Sequence, residues 1–205
     1  MDMQYILVIF GYLVGSIPFG LLYGRLAGVD VRQQGSGNIG ATNVNRLLGK
    51  KLGLLTLISD LLKGLAPMLI AAQVLTSQPD PYLWTMLTGT AAFVGHCWPI
   101  YLKFRGGKGV ATALGIFLYL APLQSLIAIM LFVAMVRISG YVSLGSMGAA
   151  VSLPVMIWLG NGPHSLLMIT GTIAILIVLK HQENVRRLLR GEEKSWKKSA
   201  NGTSN

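Results

Sequence analysis

Charge and cysteine are both scarce in this sequence. Only 12% of its 205 residues are charged, against roughly 25% in an ordinary soluble domain, and 53% are hydrophobic. A chain this apolar has too few polar side chains to cover a soluble core. The single cysteine, Cys97, excludes a disulfide framework and a multi-cysteine metal site. The polar stretches discussed below contain no cluster of acidic residues and offer a divalent cation too few oxygen ligands, so we expect no metal and no other cofactor.

A strand–loop–helix unit for nucleotide binding is also missing. Residues 35–40, GSGNIG, fit the dinucleotide pattern G-x-G-x-x-G, and an acid, Asp60, follows at about the expected distance. The pattern has meaning only between a buried strand and a helix. Here the preceding VDVRQQ is too polar for a buried strand, and Asp60 lies inside an apolar run that predicts a helix. The context therefore rejects a nicotinamide site.

The sequence contains instead several apolar runs that approach or exceed the ~18 residues of a membrane-spanning helix. The first run, 4–24, lacks a basic start and a small-residue cleavage site, so we interpret it as a retained helix. We predict an all-α, polytopic membrane helix bundle. Residues 1–196 are expected to form a single membrane-embedded catalytic domain, and residues 197–205 a flexible polar tail.

The 17 Lys and Arg residues set the expected topology, because short loops rich in them stay in the cytoplasm. They fall at 25–51, 103–108, 137 and 180–198, with Lys63 inside an apolar run. Seven segments place every cluster on one side, with the N-terminus outside and the C-terminus in the cytoplasm. These segments lie near 4–24, 53–76, 82–100, 110–121, 124–136, 144–160 and 165–180. The fourth is only about 18 Å long at 1.5 Å per residue, so it needs burial in the bundle or a thinned bilayer.

The polar, glycine-rich stretches all fall on the predicted cytoplasmic side. In the first stretch, small polar side chains crowd beside glycines and end in Arg46. Glycines let backbone N–H groups turn toward an anion, and an arginine can clamp a phosphate with two hydrogen bonds. An ordinary polar turn is the alternative. The residues that we expect to bind phosphate here, besides Arg46, are Ser36, Gly37, Asn38, Thr42 and Asn43.

The second stretch, FRGGKG, sets Lys108 among glycines just before a predicted helix, with Lys103 close by. Backbone amides at a helix start, together with cations, make a phosphate site. The stretch is not a Walker A loop, because Gly follows the lysine where Ser or Thr is required. An ordinary positive-inside loop would explain the charges but not three glycines in four positions. Those glycines are Gly106, Gly107 and Gly109.

The last stretch, HQENVRRL, places His181 and Asn184 about one helical turn apart, so both side chains can point at one ligand. A structural histidine at the membrane interface is the alternative. Ser143, in SGYVS, is a weaker candidate for substrate binding. Ionisable residues inside a membrane helix mark structure or function within the bundle. We therefore expect Asp60 and Lys63, with His96, to support the site from beneath; direct contact of Asp60 and Lys63 with substrate is the alternative.

These residues predict a site for more than one phosphate, without a Ser–His–Asp set or a G-x-S-x-G elbow. Such a site suits an already activated acyl or phosphoryl donor, because it positions reactants and stabilises charge without an enzyme nucleophile. A transporter of a phosphorylated solute is the competing interpretation. Against it, the polar residues gather at one membrane face, whereas transporters bind substrate near the midplane. A non-catalytic scaffold would explain the helices but not the loops.

Four motifs resemble those of the bacterial acyl-phosphate-dependent glycerol-3-phosphate acyltransferases, in the family's order and at its spacing. They are GSGNIGATNVNRLLGK, GHCWPIYLKFRGGKGVATALG, SGYVSLGS and HQENVRRLL. The resemblance implies transfer of a fatty acyl group from acyl phosphate to the sn-1 hydroxyl of glycerol 3-phosphate. The products would be lysophosphatidic acid (1-acyl-glycerol 3-phosphate) and phosphate, in the first step of phospholipid synthesis.

On this basis Arg46 is expected to anchor glycerol 3-phosphate, and Lys108 with its neighbouring amides to neutralise the leaving group. His181 and Asn184 would orient a phosphate. Two candidates for the base stay open, His181 and a substrate phosphate, and Ser36 as an acyl-enzyme nucleophile is less favoured because the donor is already activated. We expect a monomer in the bacterial cytoplasmic (inner) membrane, in contact with membrane lipids, with its active site facing the cytoplasm. No nucleic-acid partner is expected.

Overall fold

In the computed structural model every regular element is helical over the part that the structure describes, residues 2–196. The predicted tail, 197–205, lies outside those residues. The α-helices are α1 (Met3–Gly15), α2 (Phe19–Leu26), α3 (Ala41–Leu48), α4 (Lys50–Val74), α5 (Pro81–Cys97), α6 (Val110–Leu120), α7 (Pro122–Ser139), α8 (Val142–Leu159), α9 (His164–Lys180) and α10 (Gln182–Leu189). Ile100–Leu102 form a short 3₁₀ helix. The prediction of an all-α membrane protein is confirmed.

The chain divides after Leu120 into two compact units. In the first unit, helices approach closely through glycines. A Cβ on Gly15 of α1 would collide with the backbone of Ala92 in α5, and one on Gly115 of α6 would collide with the backbone of Leu61 in α4. Small residues at such contacts let membrane helices pack by backbone proximity. The many glycines of the apolar runs therefore have a packing role.

The second unit contains α7 to α10, with α7 packed on α8 and α8 on α9. After α10, residues 191–196 return to the turn between α7 and α8; we call this segment the C-terminal strap. The backbone N–H of Trp196 donates to the Gly140 carbonyl at 3.0 Å, and its indole Nε1–H donates to the Val136 carbonyl at 3.2 Å. The strap is therefore fastened to the end of α7.

Each of the seven predicted apolar segments is helical. By length and hydropathy, four stretches of residues 2–196 can cross a membrane, and five can if α9 and α10, which meet at a bend of 54°, form one span. The four are Met3–Leu26, Lys50–Val74, Pro122–Ser139 and Val142–Leu159. Helix α5 has 17 residues and α6 has 11, which makes them about 26 Å and 17 Å long. The count of seven spans and the orientation of the termini stay predictions.

The break predicted within residues 120–124 is confirmed, because α6 ends at Leu120 and α7 begins at Pro122. The first predicted segment, near 4–24, matches one apolar stretch that can cross a membrane, Met3–Leu26, but its helix is interrupted. Helix α1 ends at Gly15 and α2 begins at Phe19. Pro18 has no N–H to continue the helical ladder, and a proline disfavours the helical conformation of the residue before it, here Ile17.

Candidate active site

The Asn43 side chain organises the glycine-rich loop before α3. Its Oδ1 accepts the Ser36 backbone N–H at 2.8 Å, and its Nδ2 donates to the carbonyls of Val31, Gln34 and Asn38 at 2.9 to 3.2 Å. The residue is buried. An amide that bonds four backbone groups of the same loop fixes the shape of that loop. The structure therefore gives Asn43 a positioning role, and its predicted contact with phosphate stays a prediction.

The cations of this region differ in what they contact. Arg32 forms a two-pronged pair with Asp30, with Nη2–Oδ2 at 2.6 Å and Nε–Oδ1 at 3.0 Å, and these hydrogen bonds lower the pKa of Asp30 to about 2. Arg46, in the last turn of α3, is half-buried, and its guanidinium group makes no hydrogen bond or ion pair among residues 2–196. Of the two arginines, Arg46 is thus the one available to an anion.

The remaining predicted residues of the loop are accessible. Ser36, Gly37 and Thr42 are exposed, and Asn38 is half-buried with its Oδ1 accepting the Gly40 N–H at 2.9 Å. Gly37 has a φ of +68°, a conformation that glycine adopts without steric cost. The loop therefore presents a hydroxyl and backbone groups at its surface above a fixed interior.

One apolar cluster lies beneath both predicted phosphate loops. Leu21, Val31, Ile39 and Val44 form its buried part, and Leu102 of the 3₁₀ helix packs against it. Ile39 belongs to the first loop, and Leu102 lies two residues before the second, which begins at Phe104. Burial of aliphatic side chains from both segments holds them together. The structure thus brings the GSGN loop and the 3₁₀ helix that leads into the FRGGKG segment to a common support.

The FRGGKG segment is anchored to His96 at the end of α5. The Gly107 N–H donates to the His96 carbonyl at 3.1 Å, and a Cβ on Gly107 would collide with the Nε2 of the His96 ring. Gly109 has a φ of +79° and lies against the Phe93 ring and the Sγ of Cys97, which is fully buried. Glycines at these positions let the loop lie directly on α5. Lys108, half-buried between them, precedes the first turn of α6.

The turn that leads into this loop contains Lys103 and Phe104, both with positive φ, at 50° and 62°. Such conformations are uncommon for residues other than glycine. Backbone bonds from Phe104 N–H to the Pro99 carbonyl and from Arg105 N–H to the Leu102 carbonyl, at 3.0 and 3.1 Å, hold the turn. Lys103 itself is exposed, so its predicted part in phosphate binding stays a prediction.

Asp60, Lys63 and His96 are brought together inside the first unit. The Lys63 Nζ lies 2.8 Å from the Asp60 Oδ1, and the His96 Nδ1 lies 3.7 Å from the same oxygen. All three are buried. Nζ also donates to the Ile17 carbonyl at 2.8 Å. The same carbonyl accepts the Phe19 N–H at 3.1 Å, so the ammonium group is its second donor at the break between α1 and α2.

In the second unit, His181 stands at the junction of α9 and α10, and its ring is buried. Its Nδ1 lies 2.8 Å from the Ile177 carbonyl. A carbonyl only accepts, so Nδ1 carries the proton in this contact, and Nε2 is the nitrogen of the neutral ring with a lone pair. The contact thereby fixes both the tautomer and the orientation of the ring.

Ser143 and Asn184 are brought together by Glu193, a residue that sequence reasoning missed. The Glu193 Oε1 accepts from the Ser143 Oγ at 2.7 Å and from the Asn184 Nδ2 at 2.6 Å. Its Oε2 accepts from the Arg187 Nε at 2.7 Å. The one signal in the sequence is that two of only seven acidic residues stand together at 192–193, in its most basic segment. Hydrogen bonds between residues 9 and 50 positions apart in the sequence produce no periodic pattern from which they could be predicted.

The Glu193 carboxyl is ionised at neutral pH. Burial raises its pKa, but hydrogen bonds from Arg187, Asn184 and Ser143 and the guanidinium charge outweigh that effect, so the pKa lies below its ordinary value. Three donors around one carboxylate show that these side chains can stabilise an anion. No group of three His, Cys, Asp or Glu side chains within residues 2–196 is arranged to hold a metal ion.

Comparisons with known proteins give one family. The model of the glycerol-3-phosphate acyltransferase family matches residues 5–191. The glycerol-3-phosphate acyltransferase of Desulfotalea psychrophila is 50% identical over 196 residues, which cover 96% of this chain and 100% of that protein. That of Geobacter sulfurreducens is 47% identical over 95% of this chain and 98% of its own length.

Two solved structures are similar along nearly the whole chain. Both are crystal structures of PlsY, an integral membrane glycerol 3-phosphate acyltransferase, and both are 40% identical to this chain. The glycerol 3-phosphate form has a TM-score of 0.89 and covers 95% of this chain and 96% of that protein. The lysophosphatidic acid form has a TM-score of 0.86 and covers 95% of each.

Proposed function

The chain belongs to the glycerol-3-phosphate acyltransferase family, and from this premise we propose that it transfers a fatty acyl group from acyl phosphate to the sn-1 hydroxyl of glycerol 3-phosphate. The products are 1-acyl-glycerol 3-phosphate and inorganic phosphate. The observation that carries the proposal is the glycerol 3-phosphate form of PlsY, a protein 40% identical over 95% of this chain. The anion-stabilising groups of each unit support it, because both substrates are phosphates.

In the proposed reaction, the hydroxyl oxygen of glycerol 3-phosphate forms a bond to the acyl carbonyl carbon. The bond between that carbon and the phosphate oxygen breaks, and phosphate leaves with the electron pair. The hydroxyl proton passes to a phosphate oxygen of a substrate. No acyl-enzyme step is needed, because the mixed anhydride is already activated. An acyl adduct on Ser36 found by intact-mass measurement during turnover would replace this route.

The first unit supplies cations and amides for the phosphates. Arg46, free of internal pairing within residues 2–196, anchors glycerol 3-phosphate by its guanidinium group. Lys108, with the amides near Gly106, Gly107 and Gly109, stabilises the charge that develops on the leaving phosphate. The GSGN loop, whose shape Asn43 fixes, offers Ser36, Gly37 and Asn38 as further donors, and Thr42 follows in the first turn of α3.

The second unit supplies orientation. His181, with Nδ1–H held by the Ile177 carbonyl, presents Nε2 to accept a hydrogen bond from a hydroxyl or from a protonated phosphate. Asn184 and Ser143 are held in place by Glu193. His181 as the base is the alternative to a substrate phosphate. The cytoplasmic side of the inner membrane is the proposed location of these groups, and a monomer the proposed state.

The experiment is acceptor-dependent phosphate release by the purified protein in detergent, with palmitoyl phosphate as donor. Lys108→Ala should lower kcat/KM by about 10²-fold, the size of one lost charge-stabilising donor. The matched control is Lys51→Ala, which removes an exposed lysine from the first turn of α4 and should leave activity within about twofold. Phosphate release that does not depend on glycerol 3-phosphate, or turnover of palmitoyl-coenzyme A instead, would refute the proposed donor and reaction.

A further inference from the structure

The first unit contains a charge cluster that the proposed reaction does not use directly. Asp60, Lys63 and His96 are 2%, 4% and 3% exposed, on helices whose surroundings are membrane and protein. Charged groups in such surroundings are costly and mark a role within the bundle. Part of the cluster has an evident structural role, because Lys63 caps the Ile17 carbonyl at the break between α1 and α2.

That role does not account for Asp60 and His96. The Asp60 Oδ1 faces two groups at once, the Lys63 ammonium at 2.8 Å and the His96 Nδ1 at 3.7 Å. The carboxylate thus attracts the near edge of the imidazole ring while its own charge is balanced by Lys63. The other edge of the ring, at Nε2, occupies the space that a side chain on residue 107 would need.

The backbone of His96 completes a clamp on the same loop. Its carbonyl accepts the Gly107 N–H at 3.1 Å, and it also lies where a Cβ on Gly106 would be. The ring and the carbonyl of one residue therefore set the path of two consecutive glycines, and Lys108 is the next residue. A displacement of the ring would move the loop and, with it, the Lys108 ammonium.

We propose that Asp60 and His96 are positioning residues that hold the Gly106–Gly107 backbone, and through it Lys108, at the place where a substrate phosphate binds. Asp60 orients the His96 ring, and Lys63 neutralises Asp60 so that the carboxylate can remain in the membrane. The inference rests on the proposed function for the identity of the phosphate ligand. The connection from Asp60 through His96 to the loop is inferred only from the contacts between these residues.

The test removes both charges together. Asp60→Asn alone would leave a buried ammonium without its counter-ion, which destabilises a fold far more than removal of the pair does. Asp60→Leu combined with Lys63→Gln abolishes the pair and keeps an amide donor for the Ile17 carbonyl. We expect this double variant to keep a thermal unfolding midpoint near that of the wild type. We expect its kcat/KM with palmitoyl phosphate and glycerol 3-phosphate to fall at least about tenfold, because small misplacements of a catalytic group cost that much.

A double-mutant cycle with Lys108→Ala separates positioning from a general structural effect. We call the protein with Asp60→Leu and Lys63→Gln the charge-free variant. If the cluster acts through Lys108, these two substitutions should lower the activity of the Lys108→Ala protein by less than about threefold further. A cluster with an independent role would multiply the two losses, and that result would overturn the inference. Wild-type kcat/KM in a folded charge-free variant would overturn it as well.

Two readouts cover the remaining cases. Trypsin cleavage after Arg105 in the full-length protein reports how well the loop is ordered and needs no enzymatic activity. The charge-free variant should be cut at least about threefold faster than the wild type. An unchanged cleavage rate refutes the link from Asp60 to the loop even if the wild type has no acyltransferase activity.

If the charge-free variant does not fold, Gly107→Ala displaces the His96 ring from the loop side. Its matched control is Gly171→Ala, where an added Cβ meets nothing within 4 Å. Equal kcat/KM in these two alanine variants would refute the proposal.

Discussion

Replacement of Glu193 by glutamine should loosen the C-terminal strap and leave the helices intact. The carboxylate accepts from Ser143 and Asn184 with one oxygen and from Arg187 with the other. A glutamine amide has one oxygen and one NH₂ group, so it can satisfy one of these two sets and must turn a donor toward the other. The substitution changes a single atom and removes at least one charge-assisted hydrogen bond.

The size of the effect follows from the burial of the group. The Glu193 side chain is 9% exposed, so solvent replaces little of what is lost. A hydrogen bond to a charged group contributes about 1.5–3 kcal/mol net. Since about 1.4 kcal/mol changes an equilibrium tenfold, the open population of the strap should rise by about 10- to 100-fold.

Hydrogen exchange of the Trp196 amide measures this opening, because that N–H is bonded to the Gly140 carbonyl. Exchange in Glu193→Gln should be faster by about 10- to 100-fold, while amides in the middle of α8 keep their rates. The matched control is Glu183→Gln. That carboxylate faces the same Arg187, but at 4.0 Å and with 76% of its side chain exposed, and exposed pairs contribute about 0–1 kcal/mol. A Glu193→Gln protein that exchanges like Glu183→Gln would refute the assigned role of the carboxylate.

Three further results are expected. Asn43→Ala should lower the free energy of unfolding by about 2–4 kcal/mol, because buried loop groups lose their partner, and should reduce acyltransfer at least tenfold; an unchanged melting midpoint would contradict the loop network. The native pKa of Glu193 lies below its ordinary value of 4.5, so its stabilisation is complete above pH 4.5 and is lost as pH falls through the native pKa; strap exchange should accelerate only in that acid range, and acceleration near neutral pH would contradict it. Gly15→Ala should cost about 1–3 kcal/mol by overpacking, seen as a lower melting midpoint, whereas Gly171→Ala, with open space around it, should melt like the wild type.

The overall composition, the apolar runs and the distribution of Lys and Arg along the chain were sufficient to predict the helical membrane fold and most segment positions. The break near residues 120–124 was predicted from the need to return Arg137 to the basic side, and α6 and α7 separate there. The break at Pro18 was not predicted, although a proline has no backbone N–H to continue a helix and therefore favours a break. Membrane segments are recognised by hydropathy over about 20 residues, and a short interruption hardly alters such an average.

Candidate site residues were recognised by type, but their partners were not. Asn43 was expected to bind phosphate, and it is a buried amide with four backbone partners. An asparagine amide bonds phosphate and backbone equally well, so its residue type cannot distinguish the two roles. Glu193 was missed because it lies nine residues beyond Asn184 and 50 beyond Ser143. Only the fold brings those donors to its carboxylate.

The burial of Cys97 makes this chain a ready-made background for thiol labelling. It is the only cysteine in the sequence, and its side chain is fully enclosed, so a water-soluble maleimide should leave the folded protein unmodified. A cysteine introduced at one exposed loop position then gives the whole signal, with no need to remove a natural thiol. Ser77→Cys and Gln33→Cys, both at exposed positions, lie in connectors predicted on opposite sides of the membrane. Labelling of intact cells should modify the first and spare the second, which assigns each loop to its compartment one substitution at a time.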